Sequence, residues 1–375
     1  MLRIRFLLFS VISFSLLSCT SVPDAALSVA PENTDELSLL FAGDIMAHKP
    51  NYSFGKFDAI WEDVKEDVSA ADLAFANIEA PVAESLEWST YPAFNMHHSY
   101  IESVIAAGFD VFSLANNHTN DQLLQGIKET REYFASLKGQ NIYAAGLKFS
   151  SGGPLTYQLI EKNGWKVLFV AVTQLLNRND ASSWIDYYPS TEKKLAQLKA
   201  DIKKLNETVE HDLFIVSIHC DEAEYVRTVS DTHRTLYREL AEKYGVDIVW
   251  ANHPHVVKEW EVTAGGALIM YANGNTISAQ RTNPQFLKPE TERDYTGDGL
   301  FMKVKVAKLN GKNTVTALKP VLVTTYKTPL GQYVVRKLDD DLIHSLRRAG
   351  VDKWPEYLAA RKKIMAKIKG PVIWQ

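Results

Sequence analysis

Five short apolar runs in this chain each break off at a carboxylate, an amide or an imidazole. Residues 37–42 lead into Gly43-Asp44, 73–76 into Asn77-Ile78-Glu79, and 111–115 into Asn116-Asn117-His118. Residues 213–218 lead into His219, and 247–251 into Asn252-His253-Pro254-His255. Runs this short are strand lengths, and helical apolar spacing lies between them at 99–107, 122–137, 191–205 and 231–244. Strands that alternate with helices build an α/β sheet buried on both faces. In such a sheet the loops at the carboxyl ends of the strands converge, and that is where a metal or active site forms. Asp44, Glu79, Asn117, His118, His219, His253 and His255 are therefore expected to meet.

The remaining pattern adds strand pairs. Residues 156–160 and 166–172 flank Lys162-Asn163-Gly164, which is hairpin chemistry. Residues 259–262 and 267–272 flank Gly265-Gly266, and 300–306 and 314–323 flank Asn310-Gly311, so the sheets should be mixed. The tail 338–369 is helical in pattern. Its basic last stretch (Arg361, Lys362, Lys363, Lys367, Lys369) reads as a solvated face. With no linker inside 37–375, that span is read as one domain with a C-terminal helical extension.

Composition closes off other classes. An apolar share of 46% and a charged share of 23% in 375 residues exclude disorder and a multi-span membrane protein. A formal net charge of −4 lacks the basic excess that a nucleic-acid partner selects. At the N-terminus, Arg3 and Arg5 precede an apolar run, 6–17, that is shorter than the ~20 residues of a spanning helix. That run ends in Leu16-Leu17-Ser18-Cys19, which resembles a bacterial lipoprotein signal over 1–19 with Cys19 as the lipidated residue. Residues 20–36, without apolar period, read as a flexible tether. The expectation is an extracytoplasmic, membrane-anchored lipoprotein, with an outer membrane allowed because Thr20 is no retention aspartate. Cys220 then lacks a disulfide partner and is expected to be a small buried hydrophobe.

Two carboxylates, one amide and three imidazoles suit a borderline divalent ion such as Mn, Fe or Zn. A carboxylate shared by two ions would make a two-metal hydrolytic site. His118 is placed to protonate a leaving oxygen. His253 and His255 lie two apart, so an extended segment stiffened by Pro254 would point both to one face. His97, His98, His211 and His233 are read as ordinary polar residues.

Gly43-Asp44-Ile45-Met46, Asn77-Ile78-Glu79, Ala115-Asn116-Asn117-His118 with Asp121, His219 with Glu224-Tyr225, His253-Pro254-His255-Val256 and Gly274-Asn275 occur in that order. Over about 37–278 the chain thereby resembles the capsule or poly-γ-glutamate synthesis family of the CapA type, within the calcineurin-like metallophosphoesterase superfamily. The resemblance implies a four-layer α/β/β/α sandwich with mixed sheets and a dinuclear metal site. It places Asp44, Glu79, Asn117, His219, His253 and His255 at ligand positions and His118 at that of the acid. Glu224, Tyr225 and Asn275 are read as substrate contacts. The chain departs from the pattern at Met46, where the superfamily carries histidine; His48 is the nearest substitute. Cys220-Asp221 replaces Trp-Gly, and Thr276 replaces Phe.

Two readings remain open. One is a metal-dependent hydrolase or transferase with one or two ions, acting on an anionic envelope polymer, a phosphoester or a γ-glutamyl chain. The other is a non-catalytic lipoprotein with a degenerate metal site that binds or helps export a polymer beside capsule synthesis or export proteins. Met46 favours the second; Asn117-His118 and the 253–255 segment favour the first.

Overall fold

The computed structural model describes residues 36–309 and 312–373. The signal segment with Cys19, the tether up to residue 35 and the Asn310-Gly311 turn lie outside the described residues.

Two mixed sheets carry the fold. One runs in the order β14 (Tyr333–Lys337), β13 (Lys312–Lys327), β12 (Asp298–Leu309), β1 (Glu36–Ile45), β2 (Leu73–Ile78), β3 (Val111–Ser113) and β4 (Tyr143–Ala145), with β11 (Asn275–Ile277) pairing beside β1. The other runs β5 (Gln158–Lys162), β6 (Trp165–Thr173), β7 (Leu213–His219), β8 (Ile248–Asn252), β10 (Leu268–Met270) and β9 (Trp260–Val262). Glu36, read from sequence as the end of the tether, opens β1. The β1–β4 neighbours are parallel, as are β6, β7, β8 and β10; the antiparallel pairs sit at the flanks.

The period-2 alternation of a strand decides the layers. Leu37, Leu39 and Phe41 of β1 share an inner core with Trp165, Val167, Phe169 and Ala171 of β6. Their alternates face outward. Leu40 and Ala42 meet Tyr100, Ile101 and Val104 of the helix His98–Ala106 and Ile127 and Phe134 of the helix Leu123–Leu137. Leu168, Val170 and Val172 meet Leu198 and Ile202 of the helix Glu192–Thr208 and Leu236 and Leu240 of the helix Asp231–Tyr244. The result is the helix/sheet/sheet/helix sandwich expected from sequence. The inner core is aromatic, with Phe41 stacked on Phe75 at 4.6 Å. Trp250 spans the layers, its Nε1–H donating to the Ala42 carbonyl at 2.9 Å.

Local signals set the helix ends. Ser230 and Thr191 cap two helices through their hydroxyls, and Gly245, at φ 76°, terminates the first of these. Asn163 and Gly164 both adopt positive φ, which the tight β5–β6 turn requires.

The tail needs correction. Its helices, Asp340–Arg348 and Trp354–Met365, bury Leu342, Ile343, Tyr357 and Leu358 in the inner core. Arg361, taken from sequence as part of a solvated face, is fully buried and donates from Nε to Asp298 at 2.7 Å. Charge runs are read from composition alone, and nothing local announced that Asp298, 63 residues upstream, would be its partner. Strands β11 and β14 were also not anticipated; the first has only three residues and no alternation to detect.

Candidate metal centre

Parallel strands end together. The carboxyl ends of β1, β2 and β3 therefore face those of β6, β7 and β8 across one cleft, and hydrogen bonds between the sheets close it. A bulge in β1 near Gly43 lets Asp44 N–H donate to the Gly274 carbonyl at 3.0 Å. A Cβ on Gly43 would sit 1.9 Å from that oxygen, so only glycine permits the approach that sets Asn275 beside Asp44.

Around this point six of the expected residues converge. Asn77 Nδ2 donates to Asp44 Oδ1 at 2.8 Å and points at His219 Nδ1, 3.3 Å away. His219 Nε2 lies 2.8 Å from Asn117 Oδ1, 3.2 Å from His253 Nδ1 and 3.8 Å from Glu79 Oε1. His255 Nε2 is 3.6 Å from the same Glu79 oxygen, and its Nδ1 is 3.3 Å from Asp44 Oδ2. Ligands bonded to one ion at about 2.0–2.2 Å sit roughly 3 Å from each other, and these spacings match. Glu79, His219 and His253 form one candidate ligand triad, Asp44, Glu79 and His255 a second, and Glu224, His253 and His255 a third. Glu79 belongs to two of them.

The decisive feature is what Glu79 lacks. It is fully buried, yet neither carboxylate oxygen accepts a hydrogen bond, and Asp44 Oδ2 is equally orphaned. Burial first, then the carboxylates of Asp44, Glu224 and Asp121, push the Glu79 carboxyl well above its usual range. Among the described residues no lysine or arginine pairs with Glu79 or Asp44. A buried carboxylate without donors is costly unless a cation or proton neutralises it. Two of the imidazoles, His219 and His253, are held neutral. Burial lowers His219 well below 6.5 and His253 to about 3, with the neighbouring histidines adding to the effect. Neutral imidazoles are the form that binds metal. Divalent cations therefore fit this donor set.

Outer partners orient the rings. His255 Nδ1 faces Asn275 Oδ1 at 3.0 Å, while the Asn275 amide donates to Ser278, Gln280 and the Thr296 carbonyl. An amide oxygen only accepts, so Nδ1 carries the hydrogen and Nε2 is free toward Glu79. Asn275 is thus spent behind His255 and is buried, which differs from the substrate contact read from sequence. His118 Nδ1 pairs with Asp121 Oδ2 at 2.7 Å, and Phe94 packs edge-on against the ring.

The 253–255 segment is not extended. His253 takes φ 106° and His255 φ 57°, so the backbone twists to aim both rings, whose centroids lie 5.8 Å apart. Positive φ at two non-glycine residues stores strain on the order of 1–3 kcal/mol each, a mark of sites held for function. Tyr225, at φ 66°, shares it.

Other positions sort themselves. Glu224 is exposed within ligand reach of His253 and His255, and the Tyr225 ring is 6.3 Å from that of His255. Cys220 packs in the outer core, where burial drives its thiol up to about 12. Asp221 pairs with His233 at 2.8 Å, away from the triads. Met46 is buried in the apolar cluster with Phe94 and supplies no ligand. His48 does enter the pocket: burial, with His255, His118 and Arg293 nearby, lowers it to about 3, and its Nδ1 accepts the Ala279 N–H at 3.2 Å. Sequence reasoning passed over Asn77, Asn177 and Arg293. Asn77 stood inside a quoted motif. Asn177, whose Nδ2 lies 3.4 Å from both His118 nitrogens, follows the end of β6, so the same strand-end rule would have found it. Arg293, on the short helix Glu292–Tyr295, had no signal.

Residues 38–280 match the family model described as bacterial capsule synthesis protein PGA_cap. The chain is 29% identical over 259 residues to the PGA biosynthesis protein CapA of Bacillus subtilis (strain 168), covering 66% of this chain and 64% of that protein. It is 27% identical over 270 residues to the capsule biosynthesis protein CapA of Bacillus anthracis, covering 68% and 63%. It thus spans less than two thirds of the length of these relatives. Among solved structures, a hypothetical protein from Thermus thermophilus aligns with TM-score 0.46 at 19% identity, over 76% of this chain and 98% of that one. The calcineurin-like phosphoesterase YfkN from Bacillus subtilis aligns with TM-score 0.44 at 13% identity, over 86% and 99%.

Proposed function

This chain belongs to the bacterial capsule synthesis protein family, and on that premise we propose that it is a metal-dependent hydrolase or transferase of an anionic envelope polymer. The observation that carries the reading is Glu79: buried, without a donor to either oxygen, and shared by two ligand triads. Asp44, Glu79, Asn117, His219, His253 and His255 would hold one or two ions (Mn, Fe or Zn), which when bound activate water and neutralise charge at a phosphoester or γ-glutamyl centre. Asp121 fixes the tautomer of His118 by taking the Nδ1 hydrogen, so Nε2 is the atom that holds and delivers a proton to the leaving oxygen. Phe94 and Asn177 keep that ring in place. Lipidation at Cys19 would tether the domain to an extracytoplasmic membrane face, and capsule synthesis or export proteins would be its neighbours; mass analysis of the mature N-terminus tests the anchor.

The test is metal stoichiometry of the full chain after stripping and reloading. About two ions per chain, lost in His253→Ala, is the expected result. His118→Ala should keep its metal and lose turnover, because it is cast as acid and not as ligand. No bound metal would move the assignment to the second reading, a polymer-binding protein with a degenerate site. Burial of Met46 in the apolar core is the observation that favours that reading.

A further inference from the structure

Beyond the metal triads, the segment after β7 and the short helix Glu292–Tyr295 hold each other by two reciprocal contacts. The Arg293 guanidinium lies over the Tyr225 ring at 4.4 Å and donates to its hydroxyl at 2.8 Å. Two residues further along each segment, the Arg227 guanidinium lies over the Tyr295 ring at 4.2 Å. The buried Arg361 holds a guanidinium 4.1 Å from that same ring. A cleft of about 490 Å³ continues from Arg227 to the segment after the helix Trp354–Met365, where Lys367 and Lys369 line it.

The charges there are unbalanced. Arg227, Lys367 and Lys369 of the lining and Arg293 beside it are exposed, and none takes part in an ion pair among the described residues. Two other charged groups in the cleft are already neutralised: Lys258 by Glu222, and Glu259 by Arg234. Glu290 is the one carboxylate in the lining without such a partner. A cationic excess on a chain whose formal net charge is −4 runs against the overall field and focuses anions locally. Aromatic rings hold Arg227 and Arg293 in place, which lowers the ordering cost of gripping a ligand. At its inner end this row reaches Tyr225, and through it His255.

We infer that this cleft is a binding groove for a linear polyanion, with Arg293 and Tyr225 delivering the chain to the metal centre and Arg227, Lys367 and Lys369 holding its continuation. The inference rests on the polymer reading of the site. It places part of the polymer contact, Arg293, Lys367 and Lys369, on residues after 280, beyond the span matched by the family model.

Binding of labelled polyglutamate to the full chain, titrated at rising salt, tests it. The triple variant Arg227→Gln, Lys367→Gln, Lys369→Gln should bind roughly tenfold or more weakly at low salt, with a shallower salt dependence, because fewer ionic contacts remain to be screened. A control triple, Lys193→Gln, Lys194→Gln, Lys204→Gln, removes exposed lysines from the helix Glu192–Thr208 and should bind within about twofold of the parent. Competition by polyphosphate, weakened by the same groove variant, would show that the groove reads repeated charge. A groove variant that binds like the control overturns the inference. So does polyglutamate bound no more tightly than free glutamate. The two proposals fail separately. His253→Ala is expected to remove metal and leave groove binding intact, so a chain that loads metal but ignores the groove substitutions loses only this inference.

Discussion

Two buried polar clusters in this molecule have been finished differently. Around Asp298, every carboxylate oxygen meets a donor. Arg281 Nη1 and Thr324 Oγ1 both donate to Asp298 Oδ1 at 2.9 Å, and Arg361 Nε donates to Oδ2 at 2.7 Å. Asp294 accepts from Tyr357 at 2.6 Å and from Thr291. Both guanidiniums pair with Asp298, Asp294 takes hydroxyl and backbone donors, and none of those four oxygens is orphaned. Around Glu79, two buried carboxylates pair with no lysine or arginine among the described residues; Asn77 donates to one oxygen of Asp44, and the other three carboxylate oxygens accept nothing. Both clusters lie in one fold, so an inability to satisfy buried polar groups is not the explanation. The Asp298 cluster is complete in itself and ties the C-terminal helix to β12. The Glu79 cluster is complete only when a cation or a proton neutralises it.

The largest effect should come from damaging the complete cluster. Asp298→Ala leaves Arg281 and Arg361 buried without their counter-ion, and breaking a buried pair in this way costs about 3–5 kcal/mol. Denaturant unfolding should show that loss, while metal content per folded molecule stays at the parental level. If instead metal were lost in proportion, the two clusters would be one cooperative unit and the contrast would fail.

Glu79→Gln should do the reverse. In the metal-stripped chain, at a pH above the raised value of Glu79, it removes an uncompensated buried charge, and stability should rise by about 1–3 kcal/mol, while metal loading collapses. A drop in stability there would mean that Glu79 has an internal partner and belongs with Asp298. The pH dependence sharpens this. His48 and His253, depressed to about 3 in the fold, contribute stability that is present above their unfolded value near 6.5 and is lost as pH falls toward 3. Glu79 has the opposite sign: its raised folded value makes its contribution present below about 4.5 and lost as pH rises. Asp294, lowered in the fold, loses its contribution only below about 3.8. Acid sensitivity between pH 6.5 and 5 in the metal-free chain therefore belongs to the Glu79 site, and it should steepen in Glu79→Gln, where the opposing group is gone.

How far these clusters could be read from sequence follows the same division. The site was legible because its members stand at strand ends: Asp44, Glu79, Asn117, His219, His253 and His255 each follow an apolar run, and topology does the rest. The two sheet layers of the sandwich were expected from the family resemblance alone; the alternation that sorts β1 and β6 between inner and outer cores shows only in the structure. What sequence hid was pairing between distant segments without a periodic cue. Arg361 sat in a basic run and turned out to be the partner of Asp298, and Arg293 belonged to no motif and came to rest on Tyr225. The strained backbone of His253 and His255 was equally hidden, because Pro254 fixes its own φ and says nothing about its neighbours.

The smallest test compares one hydrogen bond from each cluster. Tyr357 donates to Asp294 at 2.6 Å, and the His118–Asp121 bond is 2.7 Å; both are buried. Tyr357→Phe should cost about 1 kcal/mol in unfolding and leave activity untouched, since a well-packed ring replaces a ring and one acceptor loses one of its donors. Asp121→Asn keeps the size of its side chain and an oxygen to accept the Phe94 N–H, so stability should move by no more than about 1 kcal/mol. The amide can, however, present its N–H to His118 Nδ1 and drive the hydrogen to Nε2, or present its oxygen and leave the ring without a carboxylate to favour imidazolium. Turnover should then fall by roughly 10²-fold or more, with its pH optimum displaced, while metal content holds. Equal, purely structural losses in both variants would make His118–Asp121 another finished contact of the Asp298 kind, and His118 would no longer be the acid.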